Sequence, residues 1–292
     1  MCYMAVRLLE IKRVLKDTGS LYLHCDHTAG AYLRQLLDAV FSRQNFRSAI
    51  AWERNDGRGK GSQHAPKTWG VQTDTILYYA KSDRAALNPN IAINSDDAER
   101  DFPRVDAAGR RYKTGIPVFC SKSMGARPNL CFEWRGYANP HPSGWRLSKE
   151  RLEEEYQRGN VVIRADGKLE RRKYLDEYAG KPVGDLWLEI PATKGIERTG
   201  YPTQKPVALA ERIIKASCPE DGVVLDCFAG CAYVAIAAER LGRNWVACDI
   251  NARAWTVFKR QFSKPKLATL TCTEPMHNLQ PAMIANTVTV HG

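Results

Sequence analysis

The chain has 292 residues, with 43 Lys and Arg against 32 Asp and Glu, a surplus of 11 positive charges. Hydrophobic residues at 44% and charged residues at 26% exclude a disordered or fibrous chain. No apolar run approaches the ~18 residues needed to span a bilayer, and no secretory signal opens the chain, so a cytoplasmic protein without a membrane partner is expected.

In chain order, Val6, Leu8, Leu9, Ile11 and Leu15 fall on one helical stripe, and Gly19 reads as the helix stop. Ser20–Cys25 reads as a strand ending in Asp26, and Thr28 as the cap of a helix with Leu33, Leu36, Leu37, Val40 and Phe41 inside. Residues 47–53 and 75–80 read as strands. Between them, 54–62 is a loop of Gly and charge that cannot pack a core. Regular alternation stops at 84 and returns near 199. The stretch between is rich in Arg, Lys, Trp and Pro, with one clear helix from Ser148 to about Arg158. Residues 100–182 alone hold 18 Lys and Arg against 11 Asp and Glu, 7 of the 11 surplus charges. A basic face of this kind is either simply solvated or meets a polyanion.

From 205 the pattern is regular: a helix over 205–217, a buried-type strand Val223–Asp226, a tight turn over Phe228–Cys231, a helix to Leu241, a strand over 245–248 ended by Asp249, and a helix over 252–262. This is a βαβ unit. Two short tail strands are expected, at 267–272 and 287–290. The nine cysteines include no CxxC pair and no His-completed ligand set, so they read as reduced thiols and no metal site is expected.

Two constellations carry chemistry. In the first, Asp226-Cys227-Phe228-Ala229-Gly230 leaves a strand, and Asp249 ends the next one 23 residues later. A glycine turn lets a ligand approach the backbone, and an acid on the neighbouring strand can bind ribose hydroxyls. The GxGxxG fingerprint is absent and Asp226 would repel a pyrophosphate, which argues against a nucleotide-dependent oxidoreductase. An adenosine ligand with a cationic amino-acid end suits the residues better. On one glycine alone, an ordinary strand-to-helix turn explains them as well. In the second, Gly200-Tyr201-Pro202-Thr203-Gln204-Lys205-Pro206 presents polar side chains near a helix N-terminus. Such a place favours carboxylates, although plain helix capping would also account for it.

Taken together and in this order, these strings resemble the permuted, β-class DNA amino-methyltransferases, including the modification subunits of type III restriction systems. Three further strings join them: Ser20-Leu21-Tyr22-Leu23-His24-Cys25-Asp26, Asp74-Thr75-Ile76-Leu77-Tyr78-Tyr79 and Gly144-Trp145-Arg146-Leu147-Ser148-Lys149. The resemblance runs from about residue 5 to about 262. It implies an α/β, Rossmann-like fold with a mostly parallel sheet. The discontinuous core would comprise 1–83 and 199–266, the inserted target-recognition region 84–198, and a tail 267–292. It implies S-adenosylmethionine as cofactor, with Thr203, Gln204 and Lys205 at its methionine end, Asp226, Phe228 and Gly230 in its loop, and Asp249 at its ribose. Double-stranded DNA is the implied substrate, methylated at adenine N6 or alternatively at cytosine N4. Arg54, Arg58 and Lys60 on the basic loop, with Arg127, Trp145 and Arg146, are the DNA-contacting candidates. Trp52, Trp69 and Trp134 are further base-contacting candidates, against the core role tryptophan more often takes. The resemblance also admits a restriction subunit or a second copy of the chain as partner, in a prokaryotic or phage setting.

Two departures stand against this pattern. Ala232 and Tyr233 replace a second glycine and a small hydroxyl residue. The family's catalytic Asp/Asn/Ser-Pro-Pro-Tyr/Phe motif has no counterpart, because the chain contains no Pro-Pro pair. No catalytic residue is therefore assigned. In the family's sheet that motif strand lies between the strands placed here at 223–226 and 20–25. Leaving that position empty would strand a row of buried hydrogen-bonding groups. The expectation is that an upstream segment, a separate polypeptide or a tail strand completes the sheet. The alternative function is a non-catalytic DNA-binding remnant or partner subunit.

Overall fold

The computed structural model describes residues 2–54, 67, 69–91, 95–262 and 285–291. It forms two compact units, Met1–Pro89 with Val183–Gly292, and Asn90–Pro182.

In the first unit, α1 (Cys2–Val14) buries Leu8 and Ile11 and runs straight into β1 (Leu15–Cys25). Gly19 is therefore not a helix stop. The chain turns from helix to strand at Leu15, whose side chain is 1% exposed in the core beside Leu8, Ile11 and Leu21. Leu15 lies so close to Gly19 that a Cβ there would meet its Cδ1 at 2.6 Å. Ahead of α2 (Gly30–Phe41), Asp26 Oδ1 accepts the N–H groups of Thr28 and Ala29 at 3.0 and 3.1 Å. Thr28 does not cap the helix: the N-cap position is Ala29, without a side-chain cap, and Asp26 fixes the turn that leads into it. β2 (Phe46–Glu53) and β3 (Thr73–Ala80) pair antiparallel, and β3 pairs antiparallel with β1.

The second unit starts at β4 (Asn90–Ile91) and α3 (Ser95–Asp101), followed by β5 (Arg104–Val105) and β6 (Arg111–Ile116). In α4 (Lys149–Gln157), Ser148 Oγ accepts the Arg151 N–H, as a serine N-cap should. β7 (Val161–Ile163) and β8 (Leu169–Tyr174) complete an antiparallel sheet in the order β5-β6-β8-β7, and β9 (Lys181–Pro182) pairs with β4. Val118, Trp134, Trp145, Leu152 and Val161 form its core.

β10 (Leu186–Trp187) returns to the first unit, pairing parallel with Ala51 and Trp52 of β2. Trp52 Nε1–H also donates to Ile190 O at 2.9 Å. These bonds draw the division at 182/183, whereas the alternation of the sequence placed it near 198. At the other boundary it falls at 89/90 in place of 83/84. Then follow α5 (Val207–Ser217), β11 (Val223–Asp226), α6 (Tyr233–Arg240), β12 (Asn244–Ala247), α7 (Ala252–Gln261) and β13 (Ala285–His291). The expected strand at 267–272 lies outside the described residues.

One seven-stranded sheet has the order β10-β2-β3-β1-β13-β11-β12. β1, β13, β11 and β12 are mutually parallel, and only β3 runs antiparallel to both its neighbours. β13 therefore lies inside the sheet, pairing Ser20–His24 on one side and Val224–Asp226 on the other. Helices cover both faces. Leu8, Ile11, Leu33, Leu37 and Phe41 pack on one face, while Leu209 and Ile213 meet Tyr22, Ile50, Trp52 and Tyr78 on the other. Each large side chain buried in this way contributes roughly 1.5–3 kcal/mol. The carboxyl ends of the four parallel strands share one edge. Because Cys25 pairs with Thr75, the start of β3 lies at that edge too.

Candidate functional site

Side chains from six separate stretches of sequence converge on the carboxyl edge. The turn after β11 carries the first group. Asp226 is 2% exposed. Its Oδ1 accepts the Phe228 N–H at 3.1 Å, and its Oδ2 has no partner among the described residues. Burial pushes this carboxyl up to about 8, and the nearby Cys248 and Asp249 push the same way. Gly230 follows with φ +50°, and a Cβ there would come within 3.1 Å of the Tyr201 ring. Glycine thus meets both demands of the position, a left-handed backbone and a close approach. Asp249 Oδ2 accepts the Gly230 N–H at 2.8 Å and its Oδ1 the Asn251 N–H at 2.7 Å, tying the end of β12 to the turn. Phe228 is half-buried, its ring 6.5 Å from that of Tyr3.

The 197–206 loop lies over this turn through Tyr201. Gln204 Oε1 accepts both the N–H and the Oγ1–H of Thr199 at 2.8 Å, and its Nε2 donates to Glu197 O at 2.6 Å. Both ends of the amide are used inside the loop, so Gln204 shapes the loop. Thr203 is exposed with φ +64°, and Lys205 Nζ donates to its carbonyl at 3.1 Å. Burial lowers the Lys205 ammonium pKa, while Asp74 opposes that shift.

Lys205 leads to a second group, of which only Arg54 was expected to be functional, as a DNA contact. His24 Nε2 and Asp74 Oδ2 are 3.0 Å apart, and both side chains are nearly inaccessible. Arg54 Nη1 donates to Asp74 Oδ1 at 2.9 Å. Burial lowers the His24 pKa. Burial alone would raise Asp74, but the His24 hydrogen bond and the charges of Arg54 and Lys205 hold it below the ordinary carboxylate range. The sequence signal was present, since His24 and Asp74 stand in two of the quoted strings. Their pairing depends on the β1–β3 register across 50 residues.

Of the other candidates, Arg58 and Lys60 lie outside the described residues. Trp145 is corrected. It is 0% exposed, stacks on Phe132 at 5.5 Å and donates its Nε1–H to Phe132 O, so it is a core residue of the second unit and out of reach of a base. Trp52 and Trp134 are buried as well, at 2% and 3%, whereas Trp69 is 97% exposed. Arg127 is half-buried and Arg146 exposed in the second unit, and neither meets a carboxylate among the described residues.

The site can hold a ligand with a cationic group near the unpartnered Asp226 Oδ2, a flat group over the glycine turn, and an anionic group toward Lys205. S-adenosylmethionine has these three features, so the residues fit it. Comparison with known proteins agrees on the lineage. The chain is 28% identical over 265 residues to the type II methyltransferase M.EcaI of Enterobacter cloacae, covering 88% of this chain and 56% of that protein. It is 25% identical over 275 residues to the StyLTI Mod subunit, a type III restriction-modification enzyme of Salmonella typhimurium, covering 85% and 40%. It thus spans about half the length of these relatives. Among solved structures, the M1.HpyAVI–SAM complex aligns at 18% identity with a TM-score of 0.45, over 89% of this chain and 83% of that one. The profile of a family described as DNA methylase matches residues 2–260, and on that span, which takes in every described site residue, the chain belongs to this family.

Proposed function

We propose that the chain is the cofactor-binding and DNA-recognising part of an S-adenosylmethionine-dependent DNA amino-methyltransferase acting on adenine N6, with cytosine N4 as the alternative target. The observation that carries this reading is the glycine turn held between Asp226 and Asp249 under the Tyr201 loop. The cofactor supplies an activated methyl group when bound. Asp226, ionised in the presence of a cation, would hold the amino-acid end, Lys205 its carboxylate, and Asp249 the ribose. The His24–Asp74–Arg54 network would fix the wall beside them. The target base must leave the duplex, at a cost of a few kcal/mol, and the positive surplus of the chain helps to hold the DNA. A restriction subunit is a partner consistent with the type III relatives.

One observation favours a second reading, a family member that binds without transferring. The place between β1 and β11, which the family's Pro-Pro strand takes, is filled by β13, and β13 has no proline. Calorimetric titration with S-adenosylmethionine separates the cases at the first step. Saturable binding in the wild type, lost in Asp249→Ala with an unchanged circular-dichroism spectrum, supports the cofactor site, and no binding refutes it. Incubation with unmethylated duplex and nucleoside mass spectrometry then reports N6-methyladenine, N4-methylcytosine, or neither, and the last outcome selects the second reading.

A further inference from the structure

The second unit contains a cleft of about 730 Å³ bounded by the end of α4, the start of β7 and the centre of β8. Five cations line it, Arg151, Arg158, Arg171, Arg172 and Lys173, against two carboxylates, Glu155 and Glu177. Both carboxylates are already engaged. Glu155 meets Arg151 at 3.1 Å, Glu177 meets Arg110 at 2.9 Å, and Asn160 Nδ2 donates to both, at 3.0 and 2.9 Å. Arg172 has its own partner in Glu170 at 2.9 Å. Arg158, Arg171 and Lys173 have no carboxylate within ion-pair distance among the described residues. Like charges therefore crowd, and Arg171 and Lys113 help to lower the Lys173 ammonium pKa, after burial. Lys173 Nζ lies 4.4 Å over the Tyr178 ring, while Arg158 and Arg171 meet no carboxylate among the described residues, so an anion joining the concavity would relieve the crowding of like charges.

A second observation is an unpartnered buried acceptor in the lining of the cleft. Asn160 is 4% exposed, and with its amide N–H groups spent on the two carboxylates, its Oδ1 has no partner. A buried acceptor left alone costs about 1–3 kcal/mol. The chemistry that satisfies both features is an anionic oxygen toward the cations, with a water between them that donates to that oxygen and to Asn160 Oδ1.

We infer that this cleft seats the phosphodiester backbone of duplex DNA, with Arg158, Arg171 and Lys173 as the contacting cations. The inference rests on the DNA-methyltransferase reading and adds to it a place where the second unit grips its substrate. Arg171 lies on β8, paired with both Ile116 and Val161, so the sheet holds its backbone rigidly and little ordering is needed on binding. Backbone contacts of this sort fix position on the duplex and carry no sequence information.

The test is fluorescence anisotropy of the full chain with a labelled 30-base-pair duplex across a salt series. The cleft variant Arg171→Gln/Lys173→Gln is compared with Lys215→Gln/Lys259→Gln, which removes the same charge from α5 and α7. The expected result is about tenfold weaker binding at 0.1 M salt for the cleft variant only. The slope of log affinity against log salt should be shallower by about 2, one for each phosphate no longer neutralised. Its melting temperature should not fall, and its S-adenosylmethionine titration should stay unchanged. Duplex binding by the wild type that the cleft variant retains overturns the inference and leaves the DNA reading standing. An equal loss in both variants also overturns it, because net charge would then be the cause. A wild type that binds no duplex, or prefers single-stranded RNA of equal length, refutes the DNA reading and the inference with it.

Discussion

Ala232 holds a left-handed conformation, φ 63° and ψ 19°, immediately before α6, with its methyl group fully buried against Ala235 and Phe258. An L-residue in that region costs roughly 1–2 kcal/mol. Replacing Ala232 by Gly releases this strain and forfeits one buried methyl, about 0.8 kcal/mol. The net effect should lie between no change and about 1 kcal/mol of stabilisation. Ala235 supplies the matched control. It is 2% exposed in the same cluster but sits inside α6 with helical geometry. Ala235→Gly loses the same methyl and about 1 kcal/mol of helix propensity, so it should destabilise by about 2 kcal/mol. Urea unfolding of both variants should therefore separate two chemically identical substitutions by about 2–3 kcal/mol. Equal destabilisation by the two would show that no strain is stored at Ala232, and the argument from backbone conformation would fail.

Other outcomes follow from the same site. Asp226 titrates near 8 in the folded chain against 3.8 as a free carboxyl. Its raised value makes stability fall as pH rises from about 4 to 8, and thermal melts of Asp226→Asn should show the variant gaining on the wild type across that window while calorimetry shows cofactor binding lost. Asp74→Ala leaves His24 and Arg54 without their carboxylate and should cost about 3 kcal/mol at pH 7. Because the Asp74 value is lowered, that deficit should shrink as pH falls through the carboxylate range, and a deficit independent of pH would contradict the ion-pair account. Deleting residues 285–292 removes the strand between β1 and β11, and should abolish cooperative unfolding in urea; a sharp two-state transition in the truncated chain would show that β13 is dispensable.

The βαβ unit was legible because its signals are local: β11, the glycine turn and α6 follow one another within 18 residues, and Asp249 stands at the end of the very next strand. Ser148 could be assigned as a cap for the same reason. The boundary near 183 was not legible, since β10 is two residues long and has no alternation to detect. Trp145 could not be placed because an aromatic in a basic stretch has the same sequence signature whether it faces a base or a core. The His24–Asp74 pair needed a register that no periodicity encodes. A tail strand was expected at 287–290, and its place between β1 and β11 followed only from pairing on both sides.

That interior place has a consequence for how the protein is made. β13 is synthesised after every other strand of its sheet, yet Ser20 pairs with Thr287. While the chain emerges from the ribosome, β1 and β11 each present an open edge for the whole time it takes to translate what lies between, and such edges invite pairing with other chains. Closing the sheet then depends on contacts some 267 residues apart, which slows folding. Yield of soluble protein should therefore depend on expression temperature and on chaperone supply more steeply than the size of the chain alone would suggest.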